Sequence, residues 1–259
     1  MTEEGIEAFI PYGREVAAIL RKTGALERVV EWLSRKSPQY VLVLGASGAG
    51  KSSFIKHLLG EGTQISRHNR TVGFHDVDGM IENIRFLITD TPGQMDEVYK
   101  DERMKAILTA ARQDKLGIIN VVSYGLHEET VPKDKAVVDA SANASYLQSR
   151  RDLEISLLSQ WTNVLCGDGG AAAWVMTVVT KADLWWTGHA DQEVLKYYQE
   201  GPYFQALGPA ARLRHRFCPH SSHNQLFYHT VPLSGYYDDK LKQTHRDEFV
   251  AALLENVSL

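Results

Sequence analysis

Two cysteines in 259 residues, Cys166 and Cys218, are too few for a disulfide framework, so a reducing compartment is the default expectation. Long hydrophobic runs are missing as well. No apolar stretch approaches the ~20 residues that a membrane helix needs, so no integral membrane segment is expected. The opening MTEEGIEAFI is acidic and lacks the basic and apolar regions of a secretory signal. Thr2 stands where N-myristoylation requires glycine, and the final Asn256-Val257-Ser258-Leu259 carries no prenylation signal. Positive charge is not in excess either. With a net charge of −4 and a pI of about 6.2, nothing draws the chain to nucleic acid or an anionic membrane, and no nucleic-acid partner is expected. The expectation is a soluble, cytoplasmic protein.

What is present is ordinary globular usage. Hydrophobic residues make up 44% and charged residues 23%, enough for a sizeable core in one large domain or two small ones. There is no internal repeat and no low-complexity tract. Residues 3–36 place apolar positions at helical spacing, broken at Pro11-Tyr12-Gly13 and Gly24, which predicts short amphipathic helices ending near Pro38. A strand over 40–44, a glycine-rich turn and a helix through Leu59 follow. The flanks of Asp78-Gly79, residues 71–78 and 81–89, read as a hairpin. A helix over 96–113 leads to a strand over 116–123. Residues 124–145 are polar and irregular, and 146–165 are helical. Strands are expected over 175–180 and 226–231, and a final amphipathic helix over 242–256. Strands alternating with helices predict an α/β fold: a mainly parallel sheet, helices on both faces, and one antiparallel edge strand from 71–89.

Residues 45–52 read GASGAGKS, the P-loop spacing Gly45-x-x-x-x-Gly50-Lys51-Ser52. Glycines let successive N–H groups turn inward onto phosphate oxygens, and the following helix aims its positive end at the same anion. The phosphate-binding candidates are Gly45, Ser47, Gly48, Ala49, Gly50, Lys51, Ser52 and Ser53. Lys51 is placed to reach the β- and γ-phosphates and the Ser52 hydroxyl to ligate Mg²⁺.

Further on, Ile84–Ile88 runs into Asp90-Thr91-Pro92-Gly93. An Asp there can hold Mg²⁺, and the Gly93 amide can meet a γ-phosphate. Strand 175–179 runs into Thr180-Lys181-Ala182-Asp183. A carboxylate at 183 can accept both the ring N–H and the exocyclic amine of guanine, whereas adenine offers no such donor pair. The stem of Lys181 can lie on the purine face. After 226–231 come Pro232-Leu233-Ser234-Gly235, whose amides are candidates for the guanine carbonyl.

In this order, GASGAGKS, DTPG at 90–93, TKAD at 180–183 and LSG at 233–235 resemble the motifs of a P-loop GTPase of the Ras-like, translation-factor-related class. The family usually has Asn-Lys-x-Asp in the third place and Ser-Ala in the last. The resemblance implies a three-layer P-loop fold with a six-stranded sheet, binding of GTP and GDP, and Mg²⁺ held by Ser52, Thr71 and Asp90. Thr71-Val72-Gly73-Phe74 is similar to the segment after switch I in Arf-like members; Thr71 lies 19 residues after Ser52 and 19 before Asp90. Thr63 is a weaker candidate for that role. Gln94 stands where Ras- and Arf-like proteins orient the attacking water, so Gln94, Lys51 and Thr71 are the catalytic candidates. Arg67 and Arg70 sit near the place of an internal arginine finger, at a spacing that matches poorly. Without one, a switch needs an activating protein, or its own dimer, to turn off promptly.

Against a minimal Ras-like domain the chain has surplus. We expect a helical extension over 1–38 and a GTPase domain over 39–259 with insertions near 124–165 and 184–225; such additions carry partner choice, including protein effectors. His215, Cys218, His220 and His223, with His229 following, are zinc-ligand types, but one thiol and no C-x-x-C pair make a chance His-rich loop the simpler reading. Trp185-Trp186, Tyr197-Tyr198 and Tyr203-Phe204 are expected to pack the added segment on the sheet, or to anchor a partner. Three functional readings stand: a GTP-hydrolysing switch, a GTP-bound scaffold or dimerisation module with little turnover, and a P-loop ATPase or kinase.

Overall fold

The computed structural model describes residues 38–60, 75–82, 84–92, 97–113, 115–128, 133–187, 190–222 and 225–257. In chain order these form β1 (Gln39–Leu44), α1 (Lys51–Leu58), β2 (His75–Ile81), β3 (Ile84–Asp90), α2 (Glu97–Ala110) and β4 (Leu116–Val122). The short α3 (Lys133–Ala136), β5 (Val137–Val138) and β6 (Ser141–Ala142) precede α4 (Ala144–Leu158) and α5 (Thr162–Cys166). Then come β7 (Ala172–Val179), α6 (Ala182–Trp185), α7 (Ala190–Gln199), α8 (Pro202–Leu207), a 3₁₀ turn over Gly208–Arg212, β8 (Arg214–Pro219) and α9 (Asp239–Val257). No helix among the described residues is long and apolar enough to cross a membrane.

Six strands make one sheet in the order β2-β3-β1-β4-β7-β8. All neighbours are parallel except β2, which runs antiparallel to β3 at one edge. The central strands are apolar on both faces: every residue of β4 (LGIINVV) is buried, as a strand covered by helices on both sides requires. Alternate side chains feed two cores. Leu42, Leu44, Ile118 and Val175 meet Ile107, Leu158, Trp161 and Tyr203 on one face. Val41, Val43, Val121 and Met176 meet Phe54, Ile55, Phe249 and Leu253 on the other. The sheet thus lies between helices, as expected.

Two strand expectations are corrected. Asp78-Gly79 is not the hairpin turn: both lie inside β2, opposite Leu87 and Phe86, and the chain reverses after Ile81 through Glu82, whose φ is 48°. Asp78 instead pairs with Arg85, whose Nε–H is shared between the two carboxylate oxygens at 2.9 and 3.1 Å and whose Nη2 also donates to Oδ2. A Cβ on Gly79 would come within 2.5 Å of the Leu59 side chain, so this glycine makes room for packing. The stretch 226–231 is not a strand. It is a tight turn closed by the Phe227–Val231 bridge, and the sixth strand is β8, which lacks apolar alternation because the face it turns to α9 carries Arg214 and Arg216 beside buried Cys218, with Arg216 paired to Glu255 of that helix. The expected helix 146–165 is broken between α4 and α5. Residues 1–37 lie outside the described residues.

Candidate nucleotide site

The parallel order β3-β1-β4-β7-β8 places the loops that follow these strands side by side along one edge of the sheet, where α/β folds hold their ligands. Every motif except that at 233–235 follows one of these strands.

The loop after β1 is the glycine-rich turn. Gly45 has φ +139°, and a Cβ there would sit 2.1 Å from the Val121 carbonyl oxygen of β4. Gly50, in the left-handed region at φ 93°, opens α1. Lys51 is buried, and its Nζ donates to the carbonyls of Gly45 and Ala46, each at 3.0 Å. Burial pushes its pKa down to about 8; the nearby Asp90 opposes that shift and Arg103 adds to it. A buried ammonium of this kind gains most from an anionic partner. Ser52 Oγ donates to Asp90 Oδ2 at 2.7 Å, so a hydroxyl and a buried carboxylate meet at the mouth of the loop. A hard divalent cation takes this donor set. Thr91 Oγ1 anchors the loop after β3 to the Val43 carbonyl at 2.8 Å.

The loop after β7 is joined directly to the phosphate loop. The Thr180 hydroxyl shares its one proton between the Ala49 carbonyl oxygen at 2.6 Å and that of Val122 at 2.9 Å. Lys181 has φ 58°; its Nζ donates to the Leu126 carbonyl at 2.5 Å and lies 5.6 Å from the centre of the Phe227 ring. Asp183 is buried at 3% exposure. Burial raises its pKa, opposed by the Ser221 hydroxyl on Oδ1 at 2.7 Å and the Gln225 N–H on Oδ2 at 3.1 Å.

The last motif, Ser234 and Gly235, follows no strand of the sheet: Ser234 N–H donates to the Asp183 carbonyl oxygen at 2.8 Å, and Gly235 is exposed beyond it. The residues after the true sixth strand are His220-Ser221-Ser222. His220 N–H donates to the Val179 carbonyl at 2.9 Å, and its own carbonyl accepts from Ala182 N–H at 3.1 Å. Nothing in the sequence marks Ser221 and Ser222, because β8, RHRFCP, does not read as a strand. A serine shortly after any apolar-poor segment gave no signal of its own.

The zinc-ligand types do not converge. No group of three or more His, Cys, Asp or Glu suited to a metal occurs among the described residues. His220 is buried with its Nε2 3.2 Å from His57 Nδ1, and burial pushes its pKa down to about 3. His215 bonds Thr177 Oγ1 at 3.0 Å. The aromatic residues pack the segment after β7: Tyr198 and Tyr203 are fully buried, and Tyr203 Oη accepts from buried Asn120 Nδ2 at 2.5 Å. Thr63, Arg67, Arg70, Thr71, Gly93, Gln94 and His223 lie outside the described residues.

Comparison with known proteins adds to this geometry. Residues 40–153 match the family model described as 50S ribosome-binding GTPase, a span with the phosphate loop and Asp90 but not Asp183. No curated protein matches the chain. Among solved structures, a dimerization-deficient variant of Toc33 from Arabidopsis thaliana is 15% identical, over 89% of this chain and 90% of that chain, with a TM-score of 0.50. Toc33 from the same organism in complex with GDP and Mg²⁺ is 16% identical over 89% of each chain, with a TM-score of 0.49. At 15% identity the first likeness shows a shared fold.

Proposed function

We infer that this chain is a P-loop GTPase that binds GTP and GDP with Mg²⁺ and hydrolyses GTP as a molecular switch, a reading supported by the family match over residues 40–153 and the shared fold. One observation carries the reading: the Thr180–Ala49 hydrogen bond at 2.6 Å makes the phosphate loop and the base loop a single site. In it the amides of Gly45–Ser53 and the Lys51 ammonium grip the phosphates. Ser52 and Asp90, already 2.7 Å apart, fit a shared divalent cation, with Thr71 as the third ligand. When bound, Mg²⁺ supplies neutralising charge at the β- and γ-phosphate oxygens. Asp183 accepts the two N–H groups of guanine, and Lys181 lies against the base. Ser221 holds the carboxylate in place, and the Ser221 and Ser222 amides are aimed at the base carbonyl in place of those at 234–235.

Gly93 reads the γ-phosphate and Gln94 orients the attacking water. The elements within 124–165 and 184–225 are insertions that choose protein partners, and a second copy of the chain is one of them: one similar Toc33 structure is of a dimerization-deficient variant. The test is the nucleotide released on denaturing freshly purified protein, followed by single-turnover hydrolysis. Guanine nucleotide with measurable turnover, slowed in Gln94→Leu, supports the switch. GTP that stays intact through the assay favours the scaffold reading, and adenine nucleotide removes both.

A further inference from the structure

The loop after β4, Ser123–Glu128, has no place in the motifs above, yet it is tied to three parts of the nucleotide site. The Leu126 carbonyl takes the Lys181 ammonium at 2.5 Å. The Glu128 backbone lies against the phosphate loop so closely that a Cβ on Gly48 would come within 2.6 Å of its carbonyl oxygen. Glu128 Oε1 accepts the Tyr228 N–H at 2.7 Å, tying the loop to the turn after the Ser221 segment, and Oε2 lies 3.5 Å from Lys181 Nζ.

What holds this loop is a buried carboxylate outside the site. Glu154, on α4, is 2% exposed. Its Oε1 accepts from Ser123 N at 2.8 Å, Gly125 N at 3.4 Å and His127 Nε2 at 2.8 Å, and its Oε2 accepts the Tyr198 hydroxyl at 2.7 Å. On the far side Tyr146 Oη donates to the His127 carbonyl at 2.7 Å. A carboxylate buried this deeply is costly unless every lone pair is used, and here donors converge on both oxygens.

We propose that Glu154 is a positioning residue for nucleotide binding: it fixes the Ser123–Glu128 loop, and through Leu126 sets the Lys181 side chain against the base. The inference rests on the guanine-nucleotide reading above. Glu154 touches no nucleotide; it acts through the loop. Because three of the four donors meet Oε1, a glutamine can keep them on its carbonyl oxygen while its amine donates to the Tyr198 hydroxyl, which can accept.

The experiment is GDP affinity and release rate, with a melting curve for each variant, in full-length protein. Glu154→Ala weakens GDP binding at least about tenfold, mainly through faster release, and Glu154→Gln recovers most of that loss. The double variant with Lys181→Ala loses clearly less than the product of the two single losses, because both act on one element. Affinity unchanged in folded Glu154→Ala, no recovery in Glu154→Gln, or multiplicative losses in the cycle overturns the proposal. If Glu154→Ala does not fold, His127→Leu removes one anchor from the loop side. It weakens GDP binding about threefold to tenfold, one buried hydrogen bond's worth, and no change there overturns the proposal equally. Failure of the wild-type protein to prefer GDP over ADP would instead remove the guanine reading itself.

Discussion

Ser221 Oγ donates a 2.7 Å hydrogen bond to Asp183 Oδ1, across 38 residues of sequence and from the end of β8 to the end of β7. This bond, with the Gln225 N–H, offsets part of the cost of burying the Asp183 carboxylate. Ser221→Ala therefore weakens GDP binding by about 1–2 kcal/mol, roughly tenfold, while Ser234→Ala leaves it near wild type. Equal effects of the two substitutions in a fluorescent-GDP titration would mean that the Ser221 hydroxyl does not hold Asp183 for the base.

Lys51 predicts a pH signature. Burial lowers its pKa from 10.5 to about 8, so between those values the unfolded chain binds more protons than the native one, and native stability rises with pH. Below that window the buried charge costs the nucleotide-free protein on the order of 3 kcal/mol. Lys51→Met is accordingly more stable than wild type at pH 7 without nucleotide, and the advantage shrinks as pH rises through about 8. Parallel stability curves from urea unfolding across that range contradict this. The same variant loses nucleotide affinity, since the cation that is a burden alone is the phosphate ligand.

Acid acts through a different group. His220 is held neutral by burial, with its pKa pushed down to about 3 from 6.5, so stability is lost as pH falls below 6.5. His220→Leu flattens the decline between pH 6.5 and 4 in thermal melts, and an unchanged slope there assigns the acid sensitivity elsewhere.

Gly48 and Gly60 both have positive φ, +72° and +75°, but only Gly48 faces another chain segment. Alanine at Gly60 costs about 1–2 kcal/mol of backbone strain. At Gly48 the added methyl also meets the Glu128 backbone within 2.6–2.9 Å, so Gly48→Ala lowers both melting temperature and GDP affinity well beyond Gly60→Ala. Equal melting temperatures would mean that the Glu128 segment yields freely.

Much of this was legible from the residues because local chemistry forces it. GASGAGKS admits few structures other than a phosphate turn, and the buried runs of β1, β4 and β7 read as central strands because helices cover both faces. What was not legible depended on tertiary cover. β8 places Arg214, Arg216 and Cys218 on the face toward α9, where Arg216 pairs with Glu255 and Cys218 is buried beside Phe249, so neither alternation nor an apolar run marks it. The more apolar 226–231 took its place in the reading. Asp78-Gly79 has turn chemistry, yet the Leu59 side chain behind Gly79 and the Arg85 pairing keep both in β2. Glu154 was invisible for a plainer reason: a single acid within a helical stretch acquires meaning only once Ser123, Gly125 and His127 converge on it.

The most direct measurement is the affinity of GDP and of ADP for the wild-type protein and for Asp183→Ala. The account predicts at least about a hundredfold preference for GDP in the wild type, in the range set by a base-reading carboxylate that adenine leaves unpaired, and its collapse in the variant with ADP affinity little changed. Equal GDP affinity in the two proteins contradicts it.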